Sequence, residues 1–298
     1  MPGSDLFLGI DGGGTGCRAR LSDHAGRVLG EGRAGPANLR LGIEASLGAV
    51  VAAARQCLAA AGLPERALRD TVACIALAGA TEPGELAGAR TRKVPFRHAI
   101  ITSDAHAACV GAHCGRDGGI VIAGTGSIGW AIVAGRPYRV GGWGLPLSDE
   151  GSGAWLGAEA MRLVLRAQDC RLAWSELLRC LFDRFAADPH CIVRWAAAAR
   201  PGDFATLAPT IIEYARRRDS EAMALLHRAA EHLDAIASRL VALGADRLAL
   251  MGGLAPHLEP WLAVGTRRHL VPPAGDALSG ALRLARNEVA ASQPEAAA

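Results

Sequence analysis

Apolar positions in the first third of the chain come in short runs that break at glycines. Residues 6–11, 16–22 and 27–34 predict three strands. The first, ending Leu8-Gly9-Ile10-Asp11, runs straight into Gly12-Gly13-Gly14-Thr15, and the second turn contains Asp23-His24-Ala25-Gly26. Links this short imply an antiparallel meander. An alanine-rich periodic stretch over 43–62 predicts a helix, stopped by Gly62 and Pro64. Val72 to Ala78 and Arg97 to Thr102 are apolar strands, and residues 105–114 predict the helix after the second. Helices between apolar strands imply crossovers and a partly parallel sheet.

The pattern then restarts. Residues 118–123, 127–134 and 137–141 predict strand, glycine turn, strand, turn, strand. A mostly helical stretch follows over 151–243, with helical periodicity clear from Glu221 to Leu243. Arg247 to Met251 is a late apolar strand ending in Gly252-Gly253, and a last helix begins near Asp276. The architecture is thus a meander plus alternating units, made twice, although no close sequence repeat accompanies it. The restart alone places a boundary near residue 115.

Composition narrows the functional classes. At 298 residues, one or two domains are expected, each large enough for a real core. No apolar run approaches the ~20 residues a membrane span needs, and Met1 to Asp5 does not resemble a signal peptide. Net charge is +3 and scattered, so no nucleic-acid or membrane partner is expected. Arg216-Arg217-Arg218 is a solvated helix end in this reading. The eight cysteines form no CxxC pair. Cys109, His113 and Cys114 lie closest together but match no standard zinc spacing. Buried structural thiols in a reduced, cytoplasmic protein are therefore expected.

The glycine turns are the candidate chemistry. Gly12 to Thr15 is not a P-loop, because the Gly-Lys-Ser/Thr ending is missing, and it opens a strand rather than a helix. Glycines let backbone N–H groups approach an anion, and Thr15 adds a hydroxyl. Gly124-Thr125-Gly126-Ser127 repeats the arrangement. Each turn alone is equally an ordinary hairpin. Three glycine turns after apolar strands, counting Gly252-Gly253, point together to a ligand crevice. Asp11 closes a buried strand, where a carboxylate needs a partner such as a metal ion. Asp104 follows a strand and precedes a helix, either as a general base or, with Ser103, as a helix cap. Residues 141–152 are too glycine-rich for a regular element and too long for a plain turn. Within them Asp149 and Glu150 could cap the helix that follows, the role read for Glu150, or Asp149 could accept hydrogen bonds from a polyhydroxylated ligand. Asn38 could serve that ligand too, or simply stabilise a turn.

These residues bring out a family likeness. The chain resembles the acetate kinase, sugar kinase, heat-shock chaperone and actin superfamily, and within it the N-acetylglucosamine and glucosamine kinases grouped with the BadF/BadG ATPases. GIDGGGT at 9–15, TSDAHAA at 102–108, IAGTGSIG at 122–129, GGWGLPLSDEGSGAWLG at 141–157 and LMGGLA at 250–255 carry the likeness, in family order. The zinc-binding CxCGxxGC stretch of the related ROK sugar kinases is absent, as is a ligand set for the cluster of the activator ATPases.

The resemblance implies an α/β fold of two actin-like (ribonuclease H-like) domains with a nucleotide and sugar cleft between them. The final helix packs back on the first domain, giving 1–115 plus 279–298 and 116–278. It implies ATP and Mg2+ as cofactors and an amino sugar as substrate. Gly12, Gly13, Gly14 and Thr15 would form one phosphate loop, Gly124, Thr125, Gly126 and Ser127 the other, and Gly252 and Gly253 would lie along the adenosine. Asp11 would face the metal and Asp104 would be the catalytic base. Asn38, Asp104, Gly141, Gly142 and Asp149 would hold the sugar. The expected reaction is phosphorylation of the C6 hydroxyl of N-acetylglucosamine or glucosamine. The alternative is an ATP-hydrolysing conformational switch or activator ATPase. The size of the helical segment leaves room for a homodimer.

Overall fold

A computed structural model describes residues 6–80 and 83–292. The leader reading of Met1 to Asp5 and the end of the 279–298 segment lie outside the described residues. The chain divides into two compact units. One runs to Asp117 and resumes at Pro273, and the other is Gly118–Pro272.

The first unit begins with the meander β1 (Leu6–Gly12), β2 (Cys17–Ser22) and β3 (Val28–Ala34). After helix α1 (Ile43–Ala60) come β4 (Thr71–Leu77), α2 (Pro83–Arg90), β5 (His98–Ser103) and α3 (Asp104–Ala112). The five strands lie in the order β3-β2-β1-β4-β5. The tight turns make β1–β2 and β2–β3 antiparallel, while the helical crossovers make β1–β4 and β4–β5 parallel. Strand β4 is buried along its whole length because both faces are covered. Ala73, Ile75 and Leu77 join Leu8, Ile10 and the α1 residues in one cluster. Val72, Cys74 and Ala76 join Phe7 with Ala107 and Ala281 in another. The C-terminal helix Ala277–Ser292 forms that second layer by packing on β1 and α3. Gly9 admits it, since a Cβ there would sit 2.7 Å from the Leu278 carbonyl oxygen.

Helix α1 corrects one expectation. At 18 residues and a mean hydropathy of 1.3 it is long and apolar enough, by length and composition, to cross a membrane. In this fold its stripe of Leu47, Val50, Ala54 and Leu58 is buried, and the helix packs on β2 and β3. Burying each such leucine or valine is worth about 1.5–3 kcal/mol. Helix α2 escaped the sequence reading because only Ala89 is buried on it.

The second unit repeats the opening. β6 (Gly118–Ala123), β7 (Ser127–Val133) and β8 (Arg136–Val140) form an antiparallel meander. Six helices then replace the single helical stretch of the sequence reading: α4 (Gly153–Gln168), α5 (Glu176–Asp183), α6 (Pro189–Ala198), α7 (Pro201–Ala205), α8 (Ala208–Arg216) and α9 (Ser220–Ala242). The late strand β9 (Leu248–Met251) pairs parallel with β6, giving the order β8-β7-β6-β9. Leu156, Leu177, Leu181, Ile211 and Leu233 centre the core between sheet and helices. The triple-arginine run is a helix end as expected. Arg216 closes α8, Arg217 pairs with Glu213 at 2.8 Å, and Arg218 turns out of the helix with φ +66°.

Candidate active site

In both units the glycine turn joins the first two strands of the meander. In the first, the Gly13 N–H donates to the Gly16 carbonyl at 2.8 Å and closes the hairpin. The N–H groups of Gly14 and Thr15 enter no hydrogen bond among the described residues, and both residues are exposed. The glycines serve different ends. A Cβ on Gly12 would lie 2.6 Å from Leu77 Cδ2 and 2.8 Å from Ala37, so packing demands that glycine. On Gly13, Gly14 or Gly16 it would meet nothing nearer than 3.5 Å. None of these residues has a left-handed φ. Packing and backbone conformation therefore do not themselves require glycine at these three positions, and the turn leaves its backbone open to close approach.

The second turn is closed the same way, by Gly124 N–H to the Gly126 carbonyl at 2.9 Å. The start of α4 grips it, because the Gly153 and Ala154 N–H groups donate to the Gly124 and Thr125 carbonyls. Thr125 is exposed, whereas Ser127 is buried and its hydroxyl donates to the Glu150 carbonyl at 2.7 Å. Ser127 thus ties the 141–152 loop to the turn. Gly252 has φ +98°, and a Cβ there would fall on the Ala123 backbone at the end of β6. Gly253 beside it has open space.

The 141–152 loop is pinned by Asp149. This residue has φ +65°, and its Oδ1 accepts from the Gly144 N–H at 3.0 Å. Its Oδ2 lies 2.7 Å from where a Cβ on Gly126 would stand, so the carboxylate rests on the second glycine turn. Arg139 donates to the carbonyls of Gly141 and Gly142 and stacks on Trp143, 3.8 Å from the ring centroid. Glu150 does not cap the following helix. Ser152 does, accepting from the Trp155 N–H at 3.1 Å, while the Glu150 carboxylate takes the Ser148 hydroxyl.

In the first unit Ser103 caps α3, accepting from the His106 N–H at 3.1 Å. Asp104 is therefore the first helical residue and is relieved of the capping role. Its Oδ1 accepts from the Ala105 N–H at 2.8 Å. Burial pushes its pKa up to about 6, the charge of Asp11 adds to the rise, and backbone hydrogen bonds oppose it. Asn38 does stabilise a turn, its Oδ1 accepting from the Arg40 N–H at 3.0 Å. Its Nδ2 lies 3.8 Å from where a Cβ on Gly14 would stand, so the amide also reaches the first glycine turn.

Asp11 has a partner that sequence reading missed. Register places Asp11 opposite Arg18 and Arg18 opposite Arg33, one row across three strands. Arg18 Nη2 donates to Asp11 Oδ2 at 2.6 Å. Asp11, Gly13, Thr15, Arg18 and Arg33 line a cavity of about 420 Å³ beside the turn. The signal for Arg18 was present in the length of the first turn, which fixes the β1–β2 register, whereas a bulge between Leu21 and Ser22 shifts the β2–β3 register and hid Arg33. No group of three or more His, Cys, Asp or Glu side chains is poised for a metal among the described residues. Asp11 Oδ1 nevertheless has no hydrogen-bond partner there. One carboxylate oxygen beside the exposed N–H groups of Gly14 and Thr15 fits magnesium, which takes few protein ligands and keeps its waters.

Cysteine chemistry has little place here. Burial pushes the Cys17, Cys57 and Cys74 thiols up to about 12, far from the thiolate form. Cys114 and Cys170 are exposed, contrary to the expectation of uniformly buried thiols.

Comparison with known proteins gives the family. The family model for the BadF/BadG/BcrA/BcrD ATPases matches residues 8–262. The chain belongs to that family. It is 37% identical to the glucosamine kinase GspK of Vibrio cholerae over 281 residues, covering 94% of this chain and 96% of that protein. It is also 37% identical to the N-acetylmuramic acid/N-acetylglucosamine kinase of Clostridium acetobutylicum over 171 residues, 55% of each chain. A crystal structure from Chromobacterium violaceum, provisionally designated an N-acetylglucosamine kinase, matches with a TM-score of 0.88 and 38% identity. That match covers 94% of this chain and 98% of the other. The α/β fold class and the family resemblance read from the motifs are both supported.

Proposed function

We propose that this protein is an ATP-dependent kinase that phosphorylates the C6 hydroxyl of an amino sugar, glucosamine or N-acetylglucosamine. The activities named for its relatives support this reading. So does one placement above the rest: Asp104 opens α3 free of the capping role, which Ser103 takes, and burial beside the charge of Asp11 pushes its pKa up to about 6. At pH 7 such a group is mostly ionised yet more basic than an ordinary aspartate, which suits a general base.

In this mechanism Asp104 accepts the O6 proton as O6 bonds to the γ-phosphorus, and the bond to the bridging oxygen of ADP breaks. The free N–H groups of Gly14 and Thr15 hold phosphate oxygens, with the N–H groups and hydroxyl of the turn around Thr125. Gly252 and Gly253 give the adenosine a flat approach. Arg18 and Arg33 place positive charge beside the first turn. Asn38, Gly141, Gly142 and Asp149 orient the sugar. Asp11 Oδ1 would hold magnesium directly or through water, and magnesium would supply neutralisation of phosphate charge. The eight free cysteines support a reducing, cytoplasmic setting.

Coupled ADP release across a panel of hexoses and amino sugars tests the reading. Release should rise strongly with glucosamine or N-acetylglucosamine and give the 6-phosphate. Equal ADP release with and without any acceptor would point instead to an ATP-hydrolysing switch.

A further inference from the structure

A second cationic pocket lies in the first unit, at the opposite end of β2 from the glycine turn. It encloses about 490 Å³, within the range of small-molecule sites. Arg20 and Ser22 come from β2 and Gly26 from the β2–β3 turn. Ser279, Arg283 and Arg286 come from the C-terminal helix at a spacing of four and three residues, hence from one face.

Three observations separate this pocket from an ordinary solvated helix face. First, the Ser22 side chain is buried, at 1% exposure, yet its hydroxyl has no hydrogen-bond partner. A buried hydroxyl without a partner costs free energy that a ligand would recover. Second, the guanidinium groups are held around the space. Arg20 donates through Nε to Glu31 at 2.7 Å, and Arg286 donates through Nη2 to the His24 carbonyl at 2.7 Å. Gly26, at φ +86°, makes room for Arg286, whose Nη1 would lie 2.6 Å from a Cβ there. Third, the lining contains three arginines and no carboxylate. Arg283 has no ion-pair or hydrogen-bond partner among the described residues. Forked cations gathered around a donor hydroxyl are the chemistry that recognises a phosphate.

We propose that this pocket binds a phosphate monoester of a small polyhydroxylated molecule. The phosphate lies among Arg20, Arg283, Arg286 and the Ser22 hydroxyl. The cavity extends beyond a single phosphate, and Ser279 offers a polar contact to the rest of the molecule. The site is independent of the kinase reading, since none of its residues belongs to the glycine turns or the sugar set.

The test is a titration of the 15N-labelled full chain with inorganic phosphate and with glucose 6-phosphate, at constant ionic strength set by chloride. Amide signals of Ser22, Gly26 and Ser279 should shift saturably, and the sugar phosphate should bind at least threefold tighter than phosphate. Arg283→Glu should weaken both at least tenfold, with acceptor-dependent ADP release in their absence unchanged. Ser22→Ala, which removes only the buried hydroxyl, should itself weaken binding severalfold and keeps the test open should the charge reversal prevent folding. Shifts that never saturate, or saturable binding indifferent to both substitutions, would overturn the site. Phosphate binding as tightly as the sugar phosphate would overturn the organic ligand.

Discussion

Arg18 sits directly opposite Asp11 in the β1–β2 hairpin and donates Nη2 to its Oδ2 at 2.6 Å. Arg18 is about half exposed, so the pair adds about 0–1 kcal/mol to stability at most. Its importance is electrostatic. The charge of Asp11 raises the Asp104 pKa, and Arg18 offsets that charge. Asp11→Asn should therefore move the acidic limb of the kcat/KM profile to lower pH, and Arg18→Gln should move it to higher pH. Asp11→Asn should also weaken the magnesium dependence of turnover. Limbs that stay put in both variants would show that Asp11 does not influence the base.

Asp104→Asn keeps the size and the Ala105 N–H contact but cannot accept the hydroxyl proton. Loss of a general base costs roughly 10²–10⁴ in kcat. The KM for the amino sugar should change far less, and the wild-type acidic limb near pH 6 should vanish from the residual rate. A kcat within a fewfold of wild type would remove Asp104 from the mechanism.

The same residue makes a prediction about stability. Its folded pKa, about 6, stands above the 3.8 of an unperturbed aspartate. Between those values the folded state binds more protons than the unfolded one, so this group's contribution falls as pH rises through that window. Burying the charge is a cost that Asn does not carry. Denaturant melts should find Asp104→Asn no more stable than wild type below pH 4, with its advantage growing to a plateau above pH 6. A difference that is flat with pH would mean the carboxylate is not desolvated.

Legibility from sequence followed the physics of each element. Both meanders were readable because short glycine turns leave an antiparallel hairpin as the simple solution, and the parallel strands because they are apolar end to end, as in Thr71–Leu77. The six-helix division of the second unit was not, since helical periodicity marks where helices run better than where they break. Ser103 and Asp104 were both plausible caps by type. Only the hydrogen bond from His106 separates them. The partner of Asp11 was hidden because Arg18 is distant in role but not in register. Glu150 was misassigned for a local reason, as Ser152 sits at the cap position itself.

Adjacent glycines in the first turn should respond differently to the same methyl group. Gly12→Ala forces a Cβ into Leu77 and Ala37, and overpacking of this kind costs about 1–3 kcal/mol. Gly14→Ala meets only Asn38 Nδ2, at 3.8 Å, and should leave the denaturation midpoint nearly unchanged. It should instead obstruct a phosphate. Loss of one hydrogen bond of about 1.5 kcal/mol corresponds to about tenfold weaker ATP binding. Denaturation and ATP titration of the two variants check the split, and reversed phenotypes would refute it.

Gly126 and Asp149 offer the corresponding test in the second unit. Asp149→Ala leaves the Gly144 N–H without its acceptor and removes the carboxylate that rests on Gly126, while the Ser127–Glu150 hydrogen bond still ties the loop to the turn. The KM for the amino sugar should rise about tenfold, and more than the KM for ATP, if one hydrogen-bonded contact of roughly 1.5 kcal/mol is lost. Gly126→Ala should act through the same contact, because its Cβ would displace the Asp149 carboxylate. The two substitutions should therefore be non-additive. The double variant should bind the sugar about as weakly as either single one, with a coupling energy of at least 0.5 kcal/mol in a double-mutant cycle. Additive losses would show that Asp149 serves the sugar without depending on the turn beneath it.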